Sequence, residues 1–337
     1  MTFPINQEFF NDPNQPFIWC DRSNWGILEF TGSDRLRYLH NQSTNDFNQL
    51  QTGQGCQTVF VTSTARTLDL ATAYNTSESV LVIVAPNRRE QLFQWLDGFI
   101  FPFDQVKLKD ISKQLATITL IGSKSHQLIS ELFNLNLHDK PTGTNQSVSF
   151  EDFRITIGVG SDLGLPGYNL VIPKTKIDQI RTLLEQQKGE EINQETWEQI
   201  RIIQGRPLPD QELTEDYNPL EAGLWHTISF EKGCYIGQET IARLNTYNGV
   251  KQKLWGIQLS DSAEPGTPIT LADKKVGILT SYTETNQDKF GLAYVKTKAG
   301  GAGLQVKVGS TQGKLVTIPF VTHPNLDHPE KAEAINS

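Results

Sequence analysis

The sequence predicts an α+β body followed by a small antiparallel β unit. Three observations carry that expectation. Up to about residue 250, apolar β-branched runs of strand length alternate with segments of helical periodicity. Beyond it the segments are short, β-rich and separated by turn residues; Leu304, Val306 and Val308 alternate with Gln305 and Lys307. At 337 residues, the chain exceeds one ordinary domain.

In chain order, residues 1–20 are polar and proline-marked and read as an entry arm. Residues 26–30 read as a strand. Gly32, Ser33 and Asp34 read as a helix cap, Leu36, Leu39 and His40 follow at helical spacing, and Thr44, Asn45 and Asp46 end the helix. Residues 57–62, 68–74 and 80–84 read as strands, the last apolar throughout and therefore buried. Pro86 and Asn87 start a helix, with Asn87 and Glu90 as a capping box and Leu92, Phe93 and Leu96 as its stripe. Residues 115–121 read as a strand, 127–133 as a helix, 142–147 as a polar loop, and 153–157 and 170–172 as strands. A helix then carries Ile177, Ile180, Leu183 and Leu184 on one face. The next starts near Asn193, carries Trp197, Ile200 and Gln204, and stops at Gly205. Six strand segments follow, at 254–259, 268–271, 276–282, 290–295, 304–308 and 314–320, as in a small barrel or sandwich. Residues 323–337 read as a polar tail.

The net charge of −8 and the scattered Lys and Arg argue against a nucleic-acid partner. No apolar run reaches membrane-span length, and the first residues lack the pattern of a signal peptide. Cys20, Cys56 and Cys234 are dispersed, with no CxxC spacing. That pattern fits a reducing, cytoplasmic setting and argues against a metal site, including one built on His323 and His328 of the tail.

Cys234 stands in Lys232-Gly233-Cys234-Tyr235-Ile236-Gly237-Gln238-Glu239. Its glycines suggest a tight turn, and Lys232 is near enough in sequence to stabilise a thiolate. On these residues alone it is either a small packed thiol or a reactive one. Glu221, after the Asn218-Pro219 turn and among Leu220, Ala222 and Leu224, is either a ligand acceptor or a helix-start carboxylate. Arg201, one turn after Trp197, either grips a planar carboxylate-bearing ligand or pairs with Glu198. The glycines at 158, 160, 164 and 167 lack dinucleotide-binding spacing.

The segment from Lys232 to Glu239 resembles the signature of the YgfZ family, relatives of the glycine-cleavage T-protein that support iron–sulfur enzymes. The resemblance runs from about residue 20 to about residue 320. Thr44-Asn45-Asp46 is similar to the T-protein "TND" segment, Ala65 to Asp69 to the strand after it, and Arg201 to Pro207 to an "RxxxGxP" segment. Residues 277–281 and 291–295 resemble the C-terminal barrel. The resemblance implies a T-protein-like three-lobed ring: two α+β lobes interleaved over a folate-binding region at 21–250, and an antiparallel barrel at 251–322. It implies tetrahydrofolate, or a one-carbon-substituted folate, as cofactor, and iron–sulfur client or assembly proteins as partners. Cys234 is the expected working thiol; Arg201, Glu221, Lys232, Gly233, Tyr235, Gln238, Asn45 and Asp69 are the expected folate side. The chain departs from T-proteins where Leu70 replaces the second member of an acidic pair and Leu165 replaces a pterin-gripping Glu. A buried pterin amidine without a carboxylate costs about 1–3 kcal/mol, with Asp162 and Glu221 as candidate substitutes. The implied function is a folate-binding accessory protein for iron–sulfur cluster assembly or repair. The alternatives are a T-protein-type aminomethyl- or methyltransferase and a folate-sensing scaffold.

Overall fold

The computed structural model describes residues 7–285 and 288–322; the polar tail with His323 and His328 lies outside them. The chain runs α1 (Gln7–Asn11), β1 (Ile18–Asp21), β2 (Gly26–Thr31), α2 (Arg35–Gln42), β3 (Gln54–Val61), β4 (Thr67–Asn75), β5 (Val80–Val84), α3 (Arg89–Asp97), β6 (Lys107–Asp110) and β7 (Leu115–Ile121). It continues through α4 (Ser125–Phe133), β8 (Asn145–Phe150), β9 (Phe153–Val159), β10 (Gly167–Pro173), α5 (Ile177–Gln186), β11 (Glu190–Ile192), α6 (Gln194–Gln204) and α7 (Gln238–Thr246). The last strands are β12 (Gln252–Leu259), β13 (Pro268–Leu271), β14 (Lys274–Glu284), β15 (Lys289–Lys296), β16 (Gln305–Val308) and β17 (Thr311–Val316).

These strands build three sheets. One has the order β3-β4-β5-β2-β6 and a second the order β11-β1-β7-β10-β9-β8; β12 to β17 close an antiparallel barrel. The chain therefore forms the expected α+β fold with a C-terminal barrel. The first two sheets interleave in sequence: β1 belongs to the second, β2 to β6 form the first, and β7 to β11 return to the second.

The apolar run of β5 is buried along its whole length, between neighbours β4 and β2. All of β4 is buried too. Ala71 and Ala73 pack with Leu39 of α2 and Leu92 and Leu96 of α3. Leu70 instead joins Ile202 of α6 and Leu254, Leu292 and Tyr294 of the barrel in one core. A fully buried Leu contributes roughly 1.5–3 kcal/mol, so this apolar core is what unites the first sheet with the barrel.

Local signals behave unevenly. Asn193 caps α6, its side chain accepting from the Thr196 N–H at 2.8 Å, and Gly205 ends it in the left-handed conformation. A Cβ at Gly205 would come within 2.6 Å of Ile318, so glycine is required twice over. The expected capping box at Asn87 does not form: α3 starts at Arg89, and the Asn87 amide donates to Asp210 at 2.6 Å. Residues 18–20 of the expected arm pair with β7 and β11, because Ile18, Trp19 and Cys20 are buried. β8 occupies much of the expected polar loop.

Arg201 is the electrostatic joint between α6 and the barrel. Nε donates to Glu198 at 2.8 Å, and Nη1 to Glu212 at 3.0 Å and the Arg206 carbonyl at 2.8 Å. Nη2 faces Glu198, Gln211 and Ser281 of β14 at 2.5, 2.6 and 3.0 Å. The Arg201 and Glu212 side chains are both 0 % exposed, so removing one partner strands a buried charge. Glu212→Ala is expected to cost about 3–5 kcal/mol in urea unfolding; an unchanged midpoint would contradict this role.

Candidate functional site

Two segments far apart in sequence are laced side by side. The Thr44 hydroxyl donates to the Thr227 carbonyl at 2.8 Å, and the Ser229 N–H donates to the Thr44 carbonyl at 3.1 Å. Lys232 then turns its ammonium into the end of α2. The carbonyls of His40, Ser43 and Asn45 accept from Nζ at 2.5, 2.8 and 2.6 Å. The His40 carbonyl belongs to the last turn of α2, where carbonyls lack intrahelical partners and carry partial negative charge, and those of Ser43 and Asn45 follow just past it, so that three acceptors match the three donors of an ammonium. Burial pulls the Lys232 pKa down to about 7, opposed by Asp46. The Tyr235 ring lies 4.6 Å from Nζ. Two residues past Cys234, the Ile236 N–H donates to the Asn41 carbonyl at 3.1 Å.

Cys234 is thus bracketed by two ties to α2 and faces solvent. Lys232 does not serve the thiol as the sequence suggested: its donors are spent on α2, and its task is to fix the loop. Gly237 makes the next turn at φ +83°, with the Thr62 carbonyl 2.9 Å from where a Cβ would stand, and Gln238 opens α7. Tyr235 packs among Ala65, Leu220, Ile228 and Ile241, and burial raises its hydroxyl to about 12. Asn45 uses its amide internally: Nδ2 donates to the Gln57 carbonyl at 2.7 Å and Oδ1 accepts from the Asp46 N–H at 2.8 Å. Beside this loop, His40 Nδ1 meets Asp46 Oδ1 at 3.0 Å.

A second polar locus lies buried where the two sheets meet. Asp162 Oδ2 accepts from Arg22 at 2.9 Å and Asn169 at 3.0 Å, and Oδ1 accepts from Thr72 at 2.7 Å. Burial would raise Asp162, but Arg22, Arg206 and Thr72 hold it below the usual carboxylate range. The Arg22 guanidinium stacks 3.7 Å from the Trp25 ring, with Arg206 5.0 Å from the same ring. Burial and Arg22 bring Arg206 down to about 10. Asp69 accepts from the Ala85 N–H at 2.8 Å; burial raises it to about 7, opposed by that bond and by Arg206. Several atoms here have no protein partner: Arg22 Nε and Nη2, Arg206 Nε, Asp69 Oδ1 and Trp197 Nε1. Unpaired guanidinium donors, a free carboxyl oxygen and indole faces suit a flat heterocycle bearing both carbonyl and amidine groups.

The structure therefore brings Asn45, Lys232, Gly233, Cys234 and Tyr235 together at the end of α2, with Gln238 opening α7 just beyond, and keeps three expected residues elsewhere. Arg201 is corrected outright, because a guanidinium fully buried and saturated by protein acceptors has no donor left for a ligand. Asp69 belongs to the buried locus. Glu221 sits beside β12, where its carbonyl accepts from the Leu254 N–H and its side chain from the Asn218 N–H; burial raises its pKa. Asp162, a candidate carboxylate substitute, is committed to Arg22, Asn169 and Thr72. Residues not singled out from sequence are Arg22, Arg206 and the His40–Asp46 pair. Arg206 and Asp46 stood inside quoted motifs; Arg22 carried no signal. No cluster of three or more metal-ligating side chains, and no helix long and apolar enough to cross a membrane, occurs among the described residues.

The sequence matches the GCVT N-terminal domain family over residues 13–232. It is 43% identical to an Arabidopsis thaliana protein named as a chloroplastic transferase, over 99% of this chain and 77% of that protein. It is 26% identical to an aminomethyltransferase of Listeria monocytogenes, over 89% of this chain and 85% of the relative. Among solved structures, its fold is similar to glycine cleavage system aminomethyltransferase T from Bartonella henselae, with a TM-score of 0.81 at 16% identity, covering 95% of this chain and 91% of that one.

The Asp69 carboxyl has a pH signature. Between its ordinary value near 3.8 and about 7, the folded chain keeps a proton that the unfolded chain has lost. Stability therefore falls as pH rises through that window. Relative to Asp69→Asn, the wild-type urea midpoint is expected to fall as pH rises across this window, the buried histidines such as His226 contributing equally to both; parallel profiles would show Asp69 ionised in the fold.

Proposed function

The chain belongs to the GCVT family, and from that premise we propose that it is a tetrahydrofolate-binding accessory protein of the YgfZ type. It acts in the assembly or repair of iron–sulfur clusters in client enzymes, with Cys234 as the working thiol. The observation that carries this reading is the presentation of Cys234: an exposed thiol on a loop whose flanks are both tied to α2. The places where a T-protein has the second acid of its pair and its pterin-gripping Glu are filled by Leu70 and Leu165. Both are packed into cores, Leu70 against the barrel and Leu165 with Trp25, Tyr74 and Trp197. A carboxylate at either position would forfeit these apolar contacts and add the desolvation cost of a buried charge.

The residues of the buried locus suit the folate. Asp69 would accept from the pterin amidine, and Arg22 and Arg206 would donate to its carbonyl, beside the Trp25 face. When bound, the folate supplies a nitrogen that carries one-carbon units. Gly233, Tyr235 and Gln238 frame the thiol side. Three free cysteines fit a reducing compartment such as the cytoplasm. A second reading, an aminomethyl- or methyltransferase of the T-protein type, is favoured by one observation: Asp69 keeps an unpaired oxygen and titrates near neutrality, as a proton-transfer group would.

Complementation of a strain deficient in this activity, read as the specific activity of its iron–sulfur enzymes, tests the proposal. The wild-type chain is expected to restore them; Cys234→Ala and Cys234→Ser, accumulating to the same level, are expected to fail. Full restoration by both variants would overturn the thiol mechanism.

A further inference from the structure

We propose that His40 is the proton acceptor for the Cys234 thiol and that Asp46 positions its ring, making a thiol–imidazole–carboxylate relay across α2 and the Lys232–Gly237 loop. This rests on the reading of Cys234 as the working thiol.

The geometry comes from the loop's ties. Lys232 donates to the carbonyl of His40 itself, and Ile236 to that of Asn41, so the residues between them lie over the last turn of α2. His40 is only 4 % exposed, and Nε2 points at this stretch: a Cβ added to Gly233 would stand 3.8 Å from it. The other ring nitrogen is committed, since Nδ1 meets Asp46 Oδ1 at 3.0 Å. An ionised carboxylate only accepts, so Nδ1 carries the hydrogen and Nε2 presents its lone pair to the loop. Nε2 has no hydrogen-bond partner among the described residues. A largely buried imidazole with one nitrogen oriented by a carboxylate and the other facing Gly233, the residue before an exposed thiol, is an arrangement from which nucleophile activation is built.

Asp46 and Lys232 are the titratable groups that act on this ring, and Cys56 lies near both of them. Burial and Lys232 lower the His40 pKa while Asp46 raises it, with the net shift downward, so the resting ring is neutral. In the step itself, the proton leaves Sγ and bonds to Nε2. The S–H electron pair stays on sulfur as thiolate, the imidazolium keeps Nδ1–H on Asp46, and no other bond changes. The thiolate then serves as the nucleophile or soft ligand.

The test uses the purified full-length chain and iodoacetamide, which forms a C–S bond and releases iodide. Alkylation at Cys234 is followed by peptide mass spectrometry from about pH 5.5 to about pH 9.5 for wild type, His40→Gln and Asp46→Asn. At pH 7 a thiol without a base is only a few per cent thiolate, so His40→Gln is expected to react about tenfold more slowly or worse. Asp46→Asn should fall between, and all three should converge at the alkaline end, where the thiol ionises unaided. A purely structural role would not produce that convergence. Superimposable pH profiles would overturn the relay; if His40→Gln fails to fold, Asp46→Asn decides alone by the same criterion. Superimposable profiles with Cys234→Ala still failing to complement would leave the proposed function standing without the relay. The expected profiles with Cys234→Ala complementing fully would do the reverse.

Discussion

The buried ammonium of Lys232, caged by three carbonyls at the end of α2, is the constraint on which the candidate site depends. Burying an ammonium costs several kcal/mol unless its donors are met. The last turn of α2 and the segment just past it meet them, with the carbonyls of His40, Ser43 and Asn45. Each side resolves the other's deficit, and the consequence is positional. Gly233 and Cys234 are held over the last turn of α2, Tyr235 packs beside the cation, and Gly237 turns the chain into α7. A reactive thiol needs a fixed direction as well as exposure, and this joint supplies the direction.

Packing also accounts for the two leucines that stand where the T-protein resemblance implies carboxylates. Leu70 and Leu165 lie in cores shared between parts of the molecule, and their apolar contacts hold those parts together. The polar centre survives next to them as Arg22, Asp162, Arg206 and Asp69. Two guanidiniums and two carboxyls balance there only partly, because burial keeps Asp69 protonated until about pH 7. The unpaired atoms of that centre and the thiol loop are distinct loci, joined through the first sheet: Asp69 lies on β4, and β3 beside it pairs with the TND segment through Thr44 and Thr58.

Much of the fold was legible because periodicity and caps act locally. The alternating strands of the barrel, the apolar run of β5, and the Asn193 and Gly205 ends of α6 follow from neighbours in sequence. β1 was missed because what makes it a strand is pairing with β7 and β11, distant in sequence; β8, a polar and half-exposed edge strand, was missed because its residues lack an apolar pattern although its partner β9 is next in the chain. α7 was missed because it buries little beyond Ile241. At the site, Cys234 was legible from its motif, whereas the tasks of its neighbours were not. Lys232 is two residues from the thiol in sequence, yet its side chain reaches His40, 192 residues earlier. Arg201 had two open readings; the pairing with Glu198 holds, and Glu212 and Ser281, invisible from local spacing, complete its shell.

Hydrogen exchange in a Lys232→Met variant tests the central claim most directly. Methionine keeps most of the unbranched side chain and removes the ammonium. If the cage fixes the thiol loop, the Ile236 amide, bonded to the Asn41 carbonyl in the wild type, exchanges faster by about tenfold or more, while β4 and β5 keep their protection. Unchanged protection of Ile236 in a folded Lys232→Met chain would contradict the account.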